Sequence, residues 1–142
     1  MVTVRQILDA KGHDVATIDP GDTVHDAIKK MANENIGSLV VMDGDKIVGI
    51  ITERHYARNV FLKGKASPTT PVKDIMSKRV ICAEPNQSVE ECMAVMTDKA
   101  VRHLPVLENK RRAGMVSIGD LVKSIIGDQK FKIEQLEQYI SG

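Results

Sequence analysis

The polar residues best placed for chemistry follow two matching glycine-containing stretches, residues 49–56 and 114–121. Each stretch reads as a glycine, two apolar residues, a hydroxyl residue, two variable residues and a polar side chain. The hydroxyl residues, Thr52 and Ser117, could cap the helices that follow them, because a side-chain oxygen there accepts an N–H that the first helical turn leaves unpaired. Helix capping is therefore the simplest chemistry that these residue types predict.

The two stretches belong to an internal repeat with an offset of 65 residues. The same offset relates residues 24–28 to 89–93, and residues 36–41 to 101–106. Residues 4–8 are echoed at 72–76 with an offset of 68, so three extra residues precede the body of the first repeat. Such self-similarity predicts two copies of one supersecondary unit.

Each repeat is predicted to fold as strand, helix, strand, strand, helix. In the first repeat, Val24, Ala27, Ile28 and Met31 form one apolar helical face. Ser88 and Glu91 predict a capping box at the start of the equivalent helix. The predicted elements are 15–18, a helix from 23, 36–42, 46–51 and 53–61 in the first repeat, and 80–83, a helix from 88, 101–107, 113–116 and 119–126 in the second.

The predicted organisation is an α+β (α/β) fold of two repeats, 4–61 and 72–126. A linker at 62–71 contains glycine and proline, and residues 127–142 form a separate helical tail with a sparse apolar stripe. A half of this size buries little surface alone. The two halves are therefore predicted to pack sheet to sheet with pseudo-two-fold symmetry.

Composition narrows the class of protein. Apolar residues make up 42% and aromatic residues 3%, which predicts an aliphatic core. A formal net charge of +1 disfavours nucleic acid as the main partner, and the basic run 110–112 is expected to be a solvated hairpin tip. No stretch resembles a membrane span or a leader, so a cytoplasmic location is expected.

No residue spacing predicts catalysis or metal binding. Cys82 and Cys92 are too few for a disulfide framework, and neither has ligand-like neighbours. Motifs for zinc hydrolysis, phosphate loops and nucleophile elbows are missing from the sequence. An enzyme is therefore not expected, and a metal or haem sensor that uses Cys82, Cys92 or His103 is a remote alternative.

Taken together and in order, these features resemble a tandem pair of cystathionine-β-synthase (CBS) domains, also called a Bateman module. The resemblance covers residues 4–126 and extends to the tail, which is similar to that of small bacterial proteins made only of a CBS pair. It is carried by the two glycine motifs, the strand 102–106, the Pro-x-x-Ser/Thr-Val helix starts and the lead-ins at 7–8 and 75–76.

The resemblance implies a regulatory module that binds an adenine nucleotide in clefts between the two repeats. The family's ligands include AMP, ADP, ATP, NAD(H) and S-adenosylmethionine, of which AMP and NAD(H) are the first candidates here. In the family, the hydroxyl residue of the motif contacts phosphate and its aspartate holds the ribose hydroxyls. The opposite repeat supplies its first strand against adenine and the start of its second strand.

Carried over by position, the resemblance implies two unequal sites. The first retains the aspartate, and its residues are Val15, Ala16, Gly37, Ser38, Ser117, Gly119 and Asp120. The second has His55 where the family has aspartate, and its residues are Thr52, Arg54, His55, Val80, Ile81, Arg102, His103 and Pro105.

The second implied site differs in its charge. Its ribose clamp is weakened, because neutral imidazole accepts only one hydrogen bond. Its cations suit phosphate, and His55 could add positive charge there. Arg102 and His103 are adjacent on a strand, so one of them could instead face solvent.

The predicted function is energy sensing by a non-catalytic homodimeric module that acts on a separate protein. Ligand-independent dimerisation or protein docking is the alternative, followed by nucleic-acid binding. No metal is expected.

Overall fold

The computed structural model describes residues 1–64 and 67–141 of the 142-residue chain. The fold has the predicted mixture of helices and small sheets, and no helix of the described ranges is long and apolar enough to cross a membrane. The elements are α1 (Val4–Lys11), β1 (Thr17–Ile18), α2 (Val24–Glu34), β2 (Ser38–Asp43), β3 (Lys46–Thr52), α3 (Glu53–Tyr56), a π-helical turn (Ala57–Phe61), a 3-10 turn (Val72–Asp74), α4 (Val89–Lys99), β4 (His103–Glu108), β5 (Arg111–Ser117) and α5 (Ile118–Ser141).

The chain forms two compact units that do not coincide with the sequence repeats. The first unit is Val15–Ile81, and the second combines Met1–Asp14 with the chain from Cys82 onward. Helix α1, which opens the first repeat, therefore belongs to the second unit. The turn Val72–Asp74, which opens the second repeat, belongs to the first unit. The two lead-in segments have thus been exchanged between the repeats.

Matching backbone hydrogen bonds define this exchange. In the first unit, Val24 N–H donates to Thr70 O at 2.8 Å, and Val72 N–H donates to Asp22 O at 2.8 Å. The second unit has the equivalent pair of bonds: Val89 N–H donates to Val2 O at 3.0 Å, and Val4 N–H donates to Gln87 O at 2.9 Å. Each lead-in is therefore fixed to the start of the long helix of the other repeat.

The first unit contains a three-stranded sheet of order β1-β2-β3. β1 pairs in parallel with β2, and β2 forms an antiparallel hairpin with β3, with a bulge at Val41/Met42. The predicted face of α2 lies against this sheet's core, with Val24, Ala27 and Met31 buried. A capping box between Thr23 and Asp26 begins α2, which starts where the sequence predicted a helix.

The second unit has a two-stranded sheet, because the predicted strand at 80–83 does not form. Only Ala83 bridges β4, and its N–H donates to Pro105 O at 2.8 Å. The equivalent of Pro105 in the first unit is Val40, whose N–H donates to Ala16 O at 3.0 Å. Proline has no N–H for this bond. The parallel ladder therefore ends at Ala83.

The repeated glycines are required by the exchanged lead-ins. A Cβ on Gly114 would lie 2.6 Å from Leu8 Cδ2, on α1. A Cβ on Gly49 would lie 2.5 Å from Met76 Sδ and 2.9 Å from the backbone oxygen of Ser77. Each lead-in side chain occupies the space that a larger residue would need, so these positions accept only glycine without rearrangement.

The predicted second helix and helical tail are one continuous helix. α5 runs from Ile118 to Ser141 and passes through Gly127 without a break. A single glycine costs a helix only about 1 kcal/mol relative to alanine, and an ion pair between Lys132 and Asp128 at 3.2 Å supports the next turn. The predicted helical tail is therefore confirmed, but it continues the second helix of its repeat and is not a separate helical segment.

Candidate functional site

Both hydroxyl motifs form capping boxes. Thr52 N–H donates to His55 Nδ1 at 3.2 Å, and His55 N–H donates to Thr52 Oγ1 at 3.2 Å. Ser117 N–H donates to Asp120 Oδ2 at 2.9 Å, and Asp120 N–H donates to Ser117 Oγ at 3.2 Å. The prediction that Thr52 and Ser117 cap the following helices is confirmed, and this structural role does not depend on a ligand.

The capping bond determines the state of His55. Since Nδ1 accepts the N–H of Thr52, the imidazole is the tautomer that carries its proton on Nε2. Burial, followed by the charges of Arg54 and Arg58, lowers the pKa of His55 below its ordinary value. The interpretation that His55 adds positive charge is therefore disfavoured. His55 has no acceptor left and can only donate through Nε2.

Asp120 has a cationic neighbour that is not among the predicted site residues. Lys11 Nζ lies 2.6 Å from Asp120 Oδ2 and donates a second hydrogen bond to Met115 O at 2.7 Å. Burial alone would raise the pKa of Asp120, but the hydrogen bonds from Lys11 and Ser117 and the charge of Lys11 outweigh it, so the pKa is lowered. Asp120 is therefore held in its ionised form.

The start of each hairpin lies beside its own motif. In the first unit, Ser38 pairs with Thr52, and Glu53 N–H donates to Gly37 O at 3.2 Å. The first unit thus brings together Gly37, Ser38, Thr52 and His55. Ser38 is buried, with 6% of its surface exposed.

The second unit repeats this arrangement with cationic residues. His103 pairs with Ser117, and Ile118 N–H donates to Arg102 O at 2.8 Å. This unit therefore brings together Arg102, His103, Ser117 and Asp120. Arg102 is exposed and His103 is half-buried, so the alternative that one of the two faces solvent is confirmed.

The remaining predicted residues belong to the two sheets and their connections. Ala16 and Pro105 accept backbone hydrogen bonds through their carbonyl oxygens, as described above, and Pro105 is buried. Val15, Val80 and Ile81 are half-buried, whereas Arg54 and Gly119 are exposed. The combination of residues from the two units into two ligand sites stays a prediction.

Lys11 was missed because it lies in a lead-in that sequence order assigns to the first repeat. A signal was present, since the three residues inserted after the lead-in lie next to Lys11 and lengthen α1 relative to the turn Val72–Asp74.

Over residues 1–64 and 67–141, no group of three His, Cys, Asp or Glu side chains could hold a metal ion.

Known proteins share this architecture. A solved structure of a CBS-domain protein from Burkholderia ambifaria is 52% identical, with a TM-score of 0.87 over 90% of this chain and 96% of the other. The Arabidopsis thaliana protein CBSX3, described as mitochondrial, is 37% identical over 99% of this chain and 72% of its own length. The hexameric CBS-CP12 protein of bloom-forming cyanobacteria is 27% identical, with a TM-score of 0.78 over 85% of this chain and 66% of that one.

A family model adds the extent of the match. The model, described as the CBS domain, matches residues 4–61 and again residues 72–127, which together make up most of the chain. These are the two repeats that carry the capping-box motifs. The chain belongs to the CBS-domain family, as a tandem pair of its domains.

Proposed function

We propose that this chain is a non-catalytic regulatory module that binds an adenine nucleotide through the Ser117/Asp120 motif. Binding would change the shape or self-association of the module and so regulate a separate protein. AMP and NAD(H) are the first candidate ligands. The proposal includes a homodimer and a cytoplasmic location, and it requires no metal.

The state of Asp120 carries this proposal. Its Oδ2 atom already accepts from Ser117 N–H and from Lys11. Both of these hydrogen bonds fall on Oδ2, and neither of them uses Oδ1. A carboxylate oxygen has two lone pairs and can accept from both hydroxyls of a ribose. An ionised carboxylate whose Oδ1 is not used by these two bonds therefore suits a vicinal diol.

Lys11 supports the same interpretation by supplying a cation. Without Lys11, the residues predicted for the Asp120 site include no positive charge. Its ammonium group has three donors, of which two are used by Asp120 and Met115. The third donor is suited to a phosphate oxygen, so the ligand would meet an acceptor for its sugar and a donor for its phosphate within one unit.

The Thr52/His55 motif is proposed to bind nucleotide weakly or not at all. His55 Nδ1 is occupied by the capping bond, so the imidazole cannot accept a hydrogen bond from a ribose hydroxyl. The exposed Arg54 remains available for phosphate. One occupied site per chain is the expected stoichiometry.

A ligand-independent docking module is the second candidate. The observation that favours it is the exposed apolar surface of α5, which includes Ile126, Ile133 and Leu136. Nucleic-acid binding has weaker support, because a formal charge of +1 and few aromatic residues offer little attraction or stacking.

Thermal unfolding tests the proposal. The chain is melted alone and with AMP, ADP, ATP, NAD, NADH or S-adenosylmethionine. A ligand that binds only the folded state stabilises it by about 2.7 kcal/mol at a hundredfold excess over its dissociation constant. We expect at least one nucleotide to raise the midpoint in the wild-type chain and to lose this effect in Asp120→Asn.

Asp26→Asn is the matched control, because Asp26 occupies the same capping-box position in α2. It should keep the nucleotide response of the wild type. His55→Asp should add a second binding event, measurable by calorimetry. A midpoint that no nucleotide shifts, or an equal response in Asp120→Asn, would reject nucleotide binding and favour the docking function.

A further inference from the structure

The second half of α5 has an unpartnered face. Every side chain from residue 126 to residue 140 is exposed, although this segment continues a helix whose first turns are partly buried. The exposed fractions are 58% for Ile126, 55% for Ile133, 61% for Leu136 and 82% for Ile140. At 1.5 Å per residue, these fifteen positions extend over about 22 Å.

The apolar residues of this segment follow a heptad. Ile126, Ile133 and Ile140 are seven residues apart, and Leu136 lies three after Ile133 and four before Ile140. With Gln129 at the matching position one heptad earlier, they form a continuous strip, here called the α5 seam. Alternating spacings of three and four residues align such a strip along one side of paired helices.

The residue types along the seam indicate the geometry of pairing. With the seven heptad positions lettered a to g, the three isoleucines stand at position a and Leu136 stands at position d. β-Branched residues at position a with leucine at position d favour parallel two-stranded coiled coils. Gln129, the polar d residue, would face its own copy in a parallel pair in register. Its amide can donate to and accept from an identical amide, so it would help to specify that register.

The flanking charges complement a second copy. Lys132 is at a g position, and Glu137 is at the e position five residues later. In a parallel pair, a g residue faces the e residue of the following heptad on the other helix. Lys132 would therefore lie near Glu137 of the partner subunit. Its present ion pair with Asp128 is largely exposed and therefore weak.

We propose that residues 126–140 of α5 pair in parallel, and in register, with the same residues of a second copy of this chain as a two-stranded coiled coil. Phe131, on the face away from the seam, would stay exposed in the pair. This surface is separate from the motif residues, so the inference does not require a bound nucleotide. It gives the proposed homodimer a specific contact.

Disulfide trapping tests the pairing directly. Gln129→Cys is made together with Cys82→Ser, because Cys82 is an exposed native thiol. Two cysteines at equivalent d positions of a parallel pair lie close together, and we expect a covalent dimer to form under mild oxidation. Glu134→Cys, on the outer face of the same helix, is the matched control and should cross-link much less.

Charged substitutions on the seam provide the second arm. Ile133→Lys with Leu136→Lys should abolish the Gln129→Cys cross-link and shift sedimentation toward the monomer, whereas Phe131→Lys should change neither. Because the seam residues are exposed, the thermal midpoint at low protein concentration should be unaffected. A cross-link no faster than that of Glu134→Cys, or one that survives the two lysines, would overturn the proposal.

Discussion

Lys11 and Asp120 are 109 residues apart in sequence, yet Lys11 Nζ lies 2.6 Å from Asp120 Oδ2. The bond joins the last residue of α1 to the first turn of α5. It exists because the lead-in of the first repeat packs in the second unit. The exchange of lead-ins thus determines the charge around the motif that is proposed to hold the ribose.

We expect Lys11→Met to destabilise the chain by about 0.5–1 kcal/mol at pH 7, since 39% of the lysine side chain is exposed and solvent weakens the pair. Because the pKa of Asp120 is lower in the folded chain than its ordinary value of 3.8, ionised Asp120 stabilises the fold above about pH 3.8. This contribution is lost as pH falls through the folded-state pKa. The difference between the variant and the wild type should therefore shrink in acid, as measured by urea unfolding at several pH values.

Arg5→Met is the control for Lys11→Met. It removes the other α1 cation with a carboxylate partner, Glu108, but both side chains are nearly half exposed. The loss of stability should be smaller. A penalty for Lys11→Met that is unchanged in acid would contradict an ionic role for Lys11.

His55 should make stability depend on pH near neutrality. Its lowered pKa means that the unfolded chain binds more protons than the folded chain below about pH 6.5. The contribution of His55 is therefore present above that pH and lost as pH falls. His55→Asn, which keeps a capping acceptor, should flatten the dependence of unfolding free energy on pH between 8 and 5.

His13 provides a contrast of opposite sign. The hydrogen bond that His13 donates to Asp9 Oδ1, together with the one it donates to Ala113 O, raises the pKa of this exposed histidine. Its contribution is present below about pH 6.5 and is lost as pH rises through the folded pKa. His13→Gln should therefore change the slope in the other direction. A similar change of slope in both variants would be inconsistent with the neutral, capping state of His55.

The two motif glycines should tolerate alanine unequally. Gly49→Ala places a Cβ against the Ser77 backbone oxygen, whereas the three atoms nearest to a Cβ on Gly114 all belong to the flexible side chain of Leu8. Overpacking of this kind typically costs about 1–3 kcal/mol, and we expect Gly49→Ala to lie at the upper end. Chemical unfolding would measure both variants.

A second substitution, at Leu8, tests whether contact with this side chain is the reason for the glycine at position 114. Gly114→Ala should cost less in a Leu8→Ala background than in the wild type, because the added Cβ would occupy space that the leucine vacates. Gly119→Ala is the control, since its Cβ would meet only Ser117 Oγ at 3.6 Å. Equal penalties at Gly114 and Gly119 would show that contact with Leu8 is not the reason for the glycine.

Nucleotide binding and self-association should be coupled through α5. Asp120 lies in the first turn of this helix and the α5 seam lies in its second half, so both proposed contacts act on one continuous element. We expect the nucleotide that stabilises the fold to change the dimer dissociation constant, and dimerisation to change nucleotide affinity by the same factor. Sedimentation with and without the nucleotide measures the first quantity.

Gly127→Pro should uncouple these two events. Proline in a helix interior breaks or kinks it, and Gly127 lies between the Asp120 turn and most of the seam. Nucleotide should still raise the melting midpoint of this variant without changing its association. A nucleotide effect on association that survives Gly127→Pro would exclude transmission along α5.

Much of the architecture was predictable from sequence because it depends on near neighbours. The capping boxes at Thr23 and Ser88 join residues three apart, and the hairpins join strands across short turns. The period of 65 residues identified two equivalent units. Local propensity also predicted capping by Thr52 and Ser117. It failed for the strand at 80–83, whose partner Pro105 lacks an N–H, and it began β5 two residues too late.

The tertiary structure decided what sequence order cannot encode locally. Each lead-in could have packed on its own repeat, and only the fold places Leu8 over Gly114 and Lys11 beside Asp120. The continuity of α5 through Gly127 likewise depends on the helix as a whole and not on the low helix propensity of one glycine. A hydrogen bond between residues three apart in sequence is fixed by local backbone geometry. One between residues 109 apart forms only when the whole chain has folded.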